Sequence, residues 1–258
     1  MNRRTLSAAV GVLLCATSLS AQSLPQQNQE ILNELKAIRQ LLEKLAGPLG
    51  PGAPAPTPVG AVASDRVTLA NVTSNVIGSV IGRSDAPLTM VEFTDLQCPF
   101  CRQFAVTTFP QIKKDYIDTG TLRYVSRDFP LESLHPLAIP AARASWCAAD
   151  QGKFWEMRHT ILVNNALLTA GSFATFARDL KMDISAFTSC DAKSIAGFQA
   201  DLQRDLSDAA SVGVTGTPTF VIGRTAANGL DGIRIVGAQA FAAFDATFKE
   251  LLRNTAAP

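Results

Sequence analysis

Two cysteines separated by two residues, Cys98-Pro99-Phe100-Cys101, are the part of this 258-residue chain best equipped for chemistry. A thiolate is both a nucleophile and a metal ligand. Such a pair can therefore exchange disulfides, hold half of a zinc site or serve as a plain crosslink. The flanking sequence separates these uses. Leu88–Thr94 (LTMVEFT) is β-rich, follows Pro87 and leads directly into the pair, so the motif is expected between a strand and a helix start. Residues three apart at a helix start share a face, which brings the two sulfurs within bonding reach. The first thiol then lies at the positive end of the helix, where unpaired N–H groups favour a thiolate. Cys98 is the expected nucleophile, and Cys101, one turn deeper, is expected to resolve the mixed disulfide. A zinc ribbon needs a second close ligand pair. The remaining candidates, Cys147 and Cys190, are 43 positions apart, and neither His135 nor His159 stands at ligand spacing from a cysteine. No metal and no organic cofactor are expected.

The elements that must position the pair can be read outward from it. Pro110 lies in the segment after the CxxC, so the helix there is expected to kink or divide. Residues 121–129 (TLRYVSRDF) read as a second strand. From 137 to about 210 the pattern is helical and alanine-rich, with Trp146, Phe154, Trp155, Ile161 and Leu162 at core positions and Phe198, Leu202 and Leu206 at helical spacing. Strand character returns at 219–222 (TFVI) and 233–236 (IRIV), and 241–252 is a closing amphipathic helix. The order predicts a mixed α/β domain over 64–258 with a helical insertion at about 132–210.

The first 63 residues differ in kind. Arg3 and Arg4 precede an apolar stretch at 6–19, and Ser18, Ser20 and Ala21 offer small residues for cleavage. That is the layout of a secretory signal peptide over 1–21, too short in its apolar part for the roughly 20 residues of a spanning helix. Cys15 would be discarded with it. In the segment 25–46, Ile31, Leu35, Ile38, Leu42 and Leu45 recur at alternating steps of four and three, with charged residues elsewhere. This is either a short coiled coil joining subunits or one amphipathic helix lying on its own protein. The Pro/Gly/Ala-rich run 47–63 reads as a flexible linker, which favours the oligomer. The formal net charge of +1 gives no field to steer nucleic acid.

Without Cys15 four cysteines remain, an even number suited to an oxidising compartment. Once Cys98 and Cys101 are paired by spacing, Cys147 is left with Cys190, as a structural disulfide or as two buried free thiols. His135 before Pro136 reads as a loop residue, and His159 beside Arg158 as a surface or boundary residue. Asn71-Val72-Thr73 fits a glycosylation pattern too short to carry weight.

Taken in order, Gly82-Arg-Ser-Asp-Ala-Pro87, Val91-Glu-Phe-Thr-Asp95 and Cys98-Pro-Phe-Cys101 resemble the active-site opening of DsbA-like thioredoxin-fold proteins. Arg127-Asp-Phe-Pro-Leu131, the alanine-rich run through Cys147 with Gly152-Lys-Phe-Trp155, and Gly213-Val-Thr-Gly-Thr-Pro-Thr-Phe220 are similar to the same family. The likeness spans about 82–252 and excludes the N-terminal helix and linker. It implies a thioredoxin-like fold with an inserted helical domain and a thiol–disulfide oxidoreductase acting on protein or peptide substrates, located in the periplasm and regenerated by a membrane redox partner. It also implies that Thr217-Pro218 is a cis-proline turn holding substrate beside the CxxC; the sequence by itself allows cis or trans. It further implies that Glu92 is a buried acid helping to move the proton of Cys101, with Asp95 read as a turn or capping residue. Phe100 departs from strong oxidases of the family, which carry histidine there. A less depressed Cys98 pKa and a less oxidising site are therefore expected. Net oxidation is the first expectation, an oligomeric isomerase or reductase the second, and a non-catalytic assembly module the third.

Overall fold

The computed structural model describes residues 65–253 apart from 71, 73–77, 194 and 226–228, together with residues 29, 32–34, 36, 37 and 40. The chain divides into two compact units, 1–59 and 60–258. In the first unit the described residues are helical and exposed. The signal-peptide stretch, the heptad residues Ile31, Leu35, Ile38, Leu42 and Leu45, and the linker lie outside the described residues. Among the described residues no helix is long and apolar enough to cross a membrane.

The second unit is built on a six-stranded sheet: β1 (Asp65–Leu69), β2 (Val80–Ile81), β3 (Leu88–Thr94), β4 (Leu122–Asp128), β5 (Thr219–Arg224) and β6 (Leu230–Val236), in the spatial order β1-β6-β5-β3-β4-β2. Among the described residues only β3 and β4 pair in parallel; the other pairs are antiparallel. All seven residues of β3 are buried because both faces of this central strand are covered. Alternation sends Leu88, Met90 and Glu92 to one face and Val91 and Phe93 to the other. The first face packs on Phe104, Ile112, Phe244 and Phe248. The second meets Ala209, Val212 and Val214. The two edge-proximal strands β1 and β2 are not foreseen in the sequence. β2 ends at Gly82, whose φ of +91° and close approach to the Leu122 carbonyl leave no room for a side chain.

The chain stays helical from α1 (Pro99–Gln103) through α2 (Phe109–Ile112) to Ile117, so it neither breaks nor divides at Pro110. The expected disturbance takes another form. Wide π-type turns at Phe104–Thr108 and Lys113–Ile117 flank α2. Pro110 lies inside this continuous helical run and has no N–H to donate to the turn before it, and that turn is one of the two wide ones. The insertion between β4 and β5 comprises α3 (Ala138–Ala149), α4 (Phe154–Val163), a 3-10 turn (Asn165–Leu167), α5 (Ser172–Asp179), α6 (Ile184–Lys193) and α7 (Ile195–Ser211). Cys147 of α3 and Cys190 of α6 form a disulfide across a Cα–Cα distance of 5.8 Å. α8 (Phe241–Arg253) closes the fold against the sheet.

Candidate active site

Cys98 and Cys101 belong to the same apolar cluster as the inserted helices, alongside Ala105, Ala144, Met157, Ile161 and Phe173. The site is therefore formed jointly by the sheet and the insertion. Cys98 is the N-cap of α1, with extended backbone, and Pro99 opens the helix. The turn before it is tied tightly. Cys98 N donates to the Asp95 carbonyl (3.0 Å), and Gln97 N donates to Asp95 Oδ1 (2.8 Å). Both cysteines are free thiols and both are buried. Phe100 between them is 58% exposed.

The two sulfurs are electrostatically unequal. Cys98 is pulled down to about 5, chiefly by a hydrogen bond from Cys101; burial opposes the shift, and Thr217 and the backbone N–H groups of Cys101 and Phe100 reinforce it. This lies well below an ordinary thiol at about 8.5 and above the acid extreme of about 3.5 reached by such sites. Cys101 is pushed well up, first by burial, then by its bond to Cys98 and by the negative charge of Glu92. A reactive thiolate thus sits beside a thiol that holds its proton. The Thr217–Pro218 bond is cis. It brings the Thr217 carbonyl within 3.5 Å of Cys98 Sγ, and Gly237 N donates to the Pro218 carbonyl (2.8 Å), anchoring this loop to the end of β6.

Glu92 is fully buried on the β3 face that supports the CxxC helix. Its Oε2 accepts from Arg158 Nη2 (2.5 Å) and from the Tyr124 hydroxyl, whereas Oε1 has no partner. Asp95 does more than close a turn. Its Oδ2 accepts from Leu131 N (2.8 Å) and from His135 Nδ1 (2.7 Å), so one buried carboxylate joins the active-site turn to the entrance of the insertion. Asn165 adds a second tie: its amide donates to the Cys98 carbonyl (3.0 Å). Gln97 adds a third, accepting from Leu137 N at 2.7 Å. His159 is exposed, whereas its neighbour Arg158 is buried.

Sequence reading did not single out Arg158, Tyr124, Asn165, Gln97 or the Asp95–His135 pair as site residues. For Arg158 a signal was present: it stands four residues after Phe154 and three before Ile161, on the stripe that α4 buries. Among the described residues no cluster of His, Cys, Asp and Glu could hold a metal ion.

A family model described as thioredoxin matches residues 74–233. This chain belongs to the thioredoxin family. Solved structures give the version of the fold. α-DsbA1 of Wolbachia pipientis superposes with a TM-score of 0.61 at 22% identity, covering 68% of this chain and 91% of that one. Oxidised BdbD of Bacillus subtilis gives 0.58 at 24% identity, covering 73% and 99%. DsbA2 of Pseudomonas aeruginosa gives 0.56 at 24%, covering 70% and 97%. The thioredoxin domain therefore has the DsbA-like architecture, helical insertion included. Among curated relatives, a Na(+)/H(+) antiporter NhaA 3 of Salinispora tropica is 34% identical over 167 residues, 64% of this chain and 24% of its own length. A Na(+)/H(+) antiporter NhaA 1 of Mycolicibacterium gilvum is 36% identical over 143 residues, 55% of this chain and 23% of its own length. The chain spans about a quarter of the length of these relatives.

Proposed function

We propose that this thioredoxin-family protein is an exported thiol–disulfide oxidoreductase that exchanges disulfides with protein substrates through Cys98 and Cys101, with net oxidation of the substrate. The observation that carries the reading is the opposed pull on the two sulfurs, Cys98 down to about 5 and Cys101 well up. A substrate thiolate attacks the Cys98–Cys101 disulfide at Cys98, and Cys101 leaves as a thiolate and takes up a proton. A second substrate thiolate then attacks the substrate sulfur of the mixed disulfide, and Cys98 departs as a stable thiolate. Stabilising that leaving group favours the reduced enzyme and hence oxidation of the substrate. The cis Thr217–Pro218 loop beside Cys98 is suited to hold an extended substrate chain, and exposed Phe100 and Leu167 offer it apolar contact.

Export to the periplasm, regeneration by a membrane redox partner and assembly through the 25–46 heptads belong to the same proposal. They rest on the sequence pattern and on the DsbA-like architecture. The transport activity of the antiporter relatives is not carried over, because the match covers only a quarter of them. The test is a pair of assays: oxidation of reduced ribonuclease and reactivation of scrambled ribonuclease. Net oxidation requires the first to proceed stoichiometrically with the oxidised protein and to vanish in Cys98→Ala. Activity confined to the scrambled substrate would favour the isomerase reading, and none in either assay would end the oxidoreductase reading.

A further inference from the structure

Thr94 ends β3 with a hydroxyl that the fold leaves unspent. The residue is 1% exposed, and its Oγ1 has no hydrogen-bond partner among the described residues. A buried polar group without a partner is destabilising, and valine would fill the same place in a strand without that cost. An unsatisfied group of this kind in a native interior asks for a use outside stability. Its surroundings supply one. On β3 it falls on the same face as Leu88 and Met90, which pack with Phe104 just after the CxxC helix. The peptide that follows it is held on both sides: the Thr94 carbonyl accepts from Phe129 N (2.7 Å), and Asp95 N donates to Cys101 Sγ (3.5 Å). The Asp95 carboxylate fixes the same turn by accepting from Gln97 N and Leu131 N. Burial and Cys98 push Cys101 toward its neutral form, and the Thr94 hydroxyl pulls the other way. In the dithiol Cys101 donates its hydrogen bond to Cys98, so the hydroxyl has no anion to meet.

We infer that the Thr94 hydroxyl and the Asp95 main-chain N–H form a two-donor cradle for Cys101 at the moment its sulfur carries negative charge. The inference rests on the proposed thiol–disulfide exchange and deepens it by naming what receives the leaving group. A substrate thiolate forms a bond to Cys98 Sγ, the Cys98–Cys101 bond breaks, and the bonding pair leaves on Cys101 Sγ. The substrate sulfur is oxidised into the mixed disulfide and Cys101 is reduced. No proton moves in this step; the Cys101 thiolate takes one up from water afterwards, and in the opposite direction every movement reverses. The charge develops in a dry interior, where an unsolvated anion is strongly penalised. Both donors are neutral and already in place. They hold the departing thiolate more strongly than the disulfide sulfur it came from, which lowers the barrier without tightening the ground state.

The experiment mixes the oxidised protein with excess reduced glutathione at neutral pH, stops the reaction with acid at intervals, and follows loss of the Cys98–Cys101 disulfide by alkylation and mass. Thr94→Val keeps the shape and removes the donor. It is expected to slow cleavage by about tenfold, the value of one hydrogen bond to a charged group. Its denaturation midpoint should be unchanged or higher, because the unspent hydroxyl is gone. Thr94→Ser keeps the donor and should recover most of the rate. Alkylation of Cys98 in the reduced variants should keep its inflection at about 5, because that thiolate lies outside the cradle. If the valine variant fails to fold, Thr94→Ala measured against Thr94→Ser gives the same comparison. Cleavage at the wild-type rate in the variant lacking the donor, a serine variant no faster than it, or a parallel loss of Cys98 alkylation would overturn the inference and leave the exchange reading standing. A wild-type disulfide that glutathione does not open at all would take down both.

Discussion

Replacing Cys101 with alanine removes the largest cause of the Cys98 shift while leaving the helix start, Thr217 and the backbone N–H groups in place. A hydrogen bond to a charged group is worth about 1.5–3 kcal/mol. At about 1.4 kcal/mol per tenfold change, the Cys98 inflection should rise from about 5 to roughly 6–7. It should not return to the ordinary thiol value of about 8.5, because the remaining donors persist. At pH 7 the wild-type thiol is about 99% ionised and the variant about 50–90%. The assay is thiolate absorbance in the ultraviolet, followed against pH and repeated as the rate of alkylation by iodoacetamide. Cys101→Ser keeps an O–H donor and should stay close to the wild-type inflection. If Cys101→Ala titrates where the wild type does, the thiol–thiolate hydrogen bond is not the origin of the shift. The helix start, with the backbone N–H groups of Phe100 and Cys101, must then supply it.

Phe100→His should lower the Cys98 inflection below about 5 and make the site more oxidising, read by equilibration with glutathione. Above that inflection reduction takes up two electrons and one proton, so the potential should fall by about 30 mV per pH unit, steepening to about 60 mV below it. The same depressed pKa stabilises the reduced fold. That contribution is complete above the ordinary thiol value of about 8.5, shrinks as pH falls and is gone below about 5, so the denaturation midpoints of reduced and oxidised protein should change their separation across this window. Exchanging Cys147 and Cys190 together for alanine should cost about 4 kcal/mol in denaturant unfolding, the chain-entropy value for a loop of this size. Asp95→Ala strips the acceptor from Gln97 N, Leu131 N and the His135 ring and should cost about 3 kcal/mol, with the Gln97 and Leu131 amides losing their protection from hydrogen exchange.

The four central strands in their chain order and the CxxC helix were legible because their signals are local. An apolar run before Cys98, a three-residue spacing and helical periodicity from 137 onward each operate within a few residues. β1 and β2 escaped because they are short and lie toward the sheet margins, where neither hydrophobic alternation nor burial marks them: β1 is mostly exposed. Thr217–Pro218 and Glu92 were legible only through family likeness, since nothing in a Thr-Pro dipeptide or in one glutamate of a strand states what it faces. The partners of Glu92 were hidden for a different reason. Tyr124 and Arg158 are brought to it by strand pairing and helix packing from 32 and 66 positions away. A charged residue on an apolar stripe is the trace such a partner leaves in a sequence. The surface or boundary reading given to His159 holds, while the same helix turns its neighbour Arg158 inward.

The ties between insertion and sheet bear on how this architecture can be recombined. Asp95 grips Leu131 and His135, Gln97 grips Leu137, Asn165 grips the Cys98 carbonyl, and Arg158 lies on Glu92. Each tie has one end in the helical block and the other in the catalytic layer. A chimera that borrows the block from a relative at the obvious loop junctions would inherit foreign residues at every one of these seams. The transferable module is the insertion together with its mates at 92, 95, 97 and 124, and a graft that ignores them would be expected to fold with the disulfide chemistry detuned.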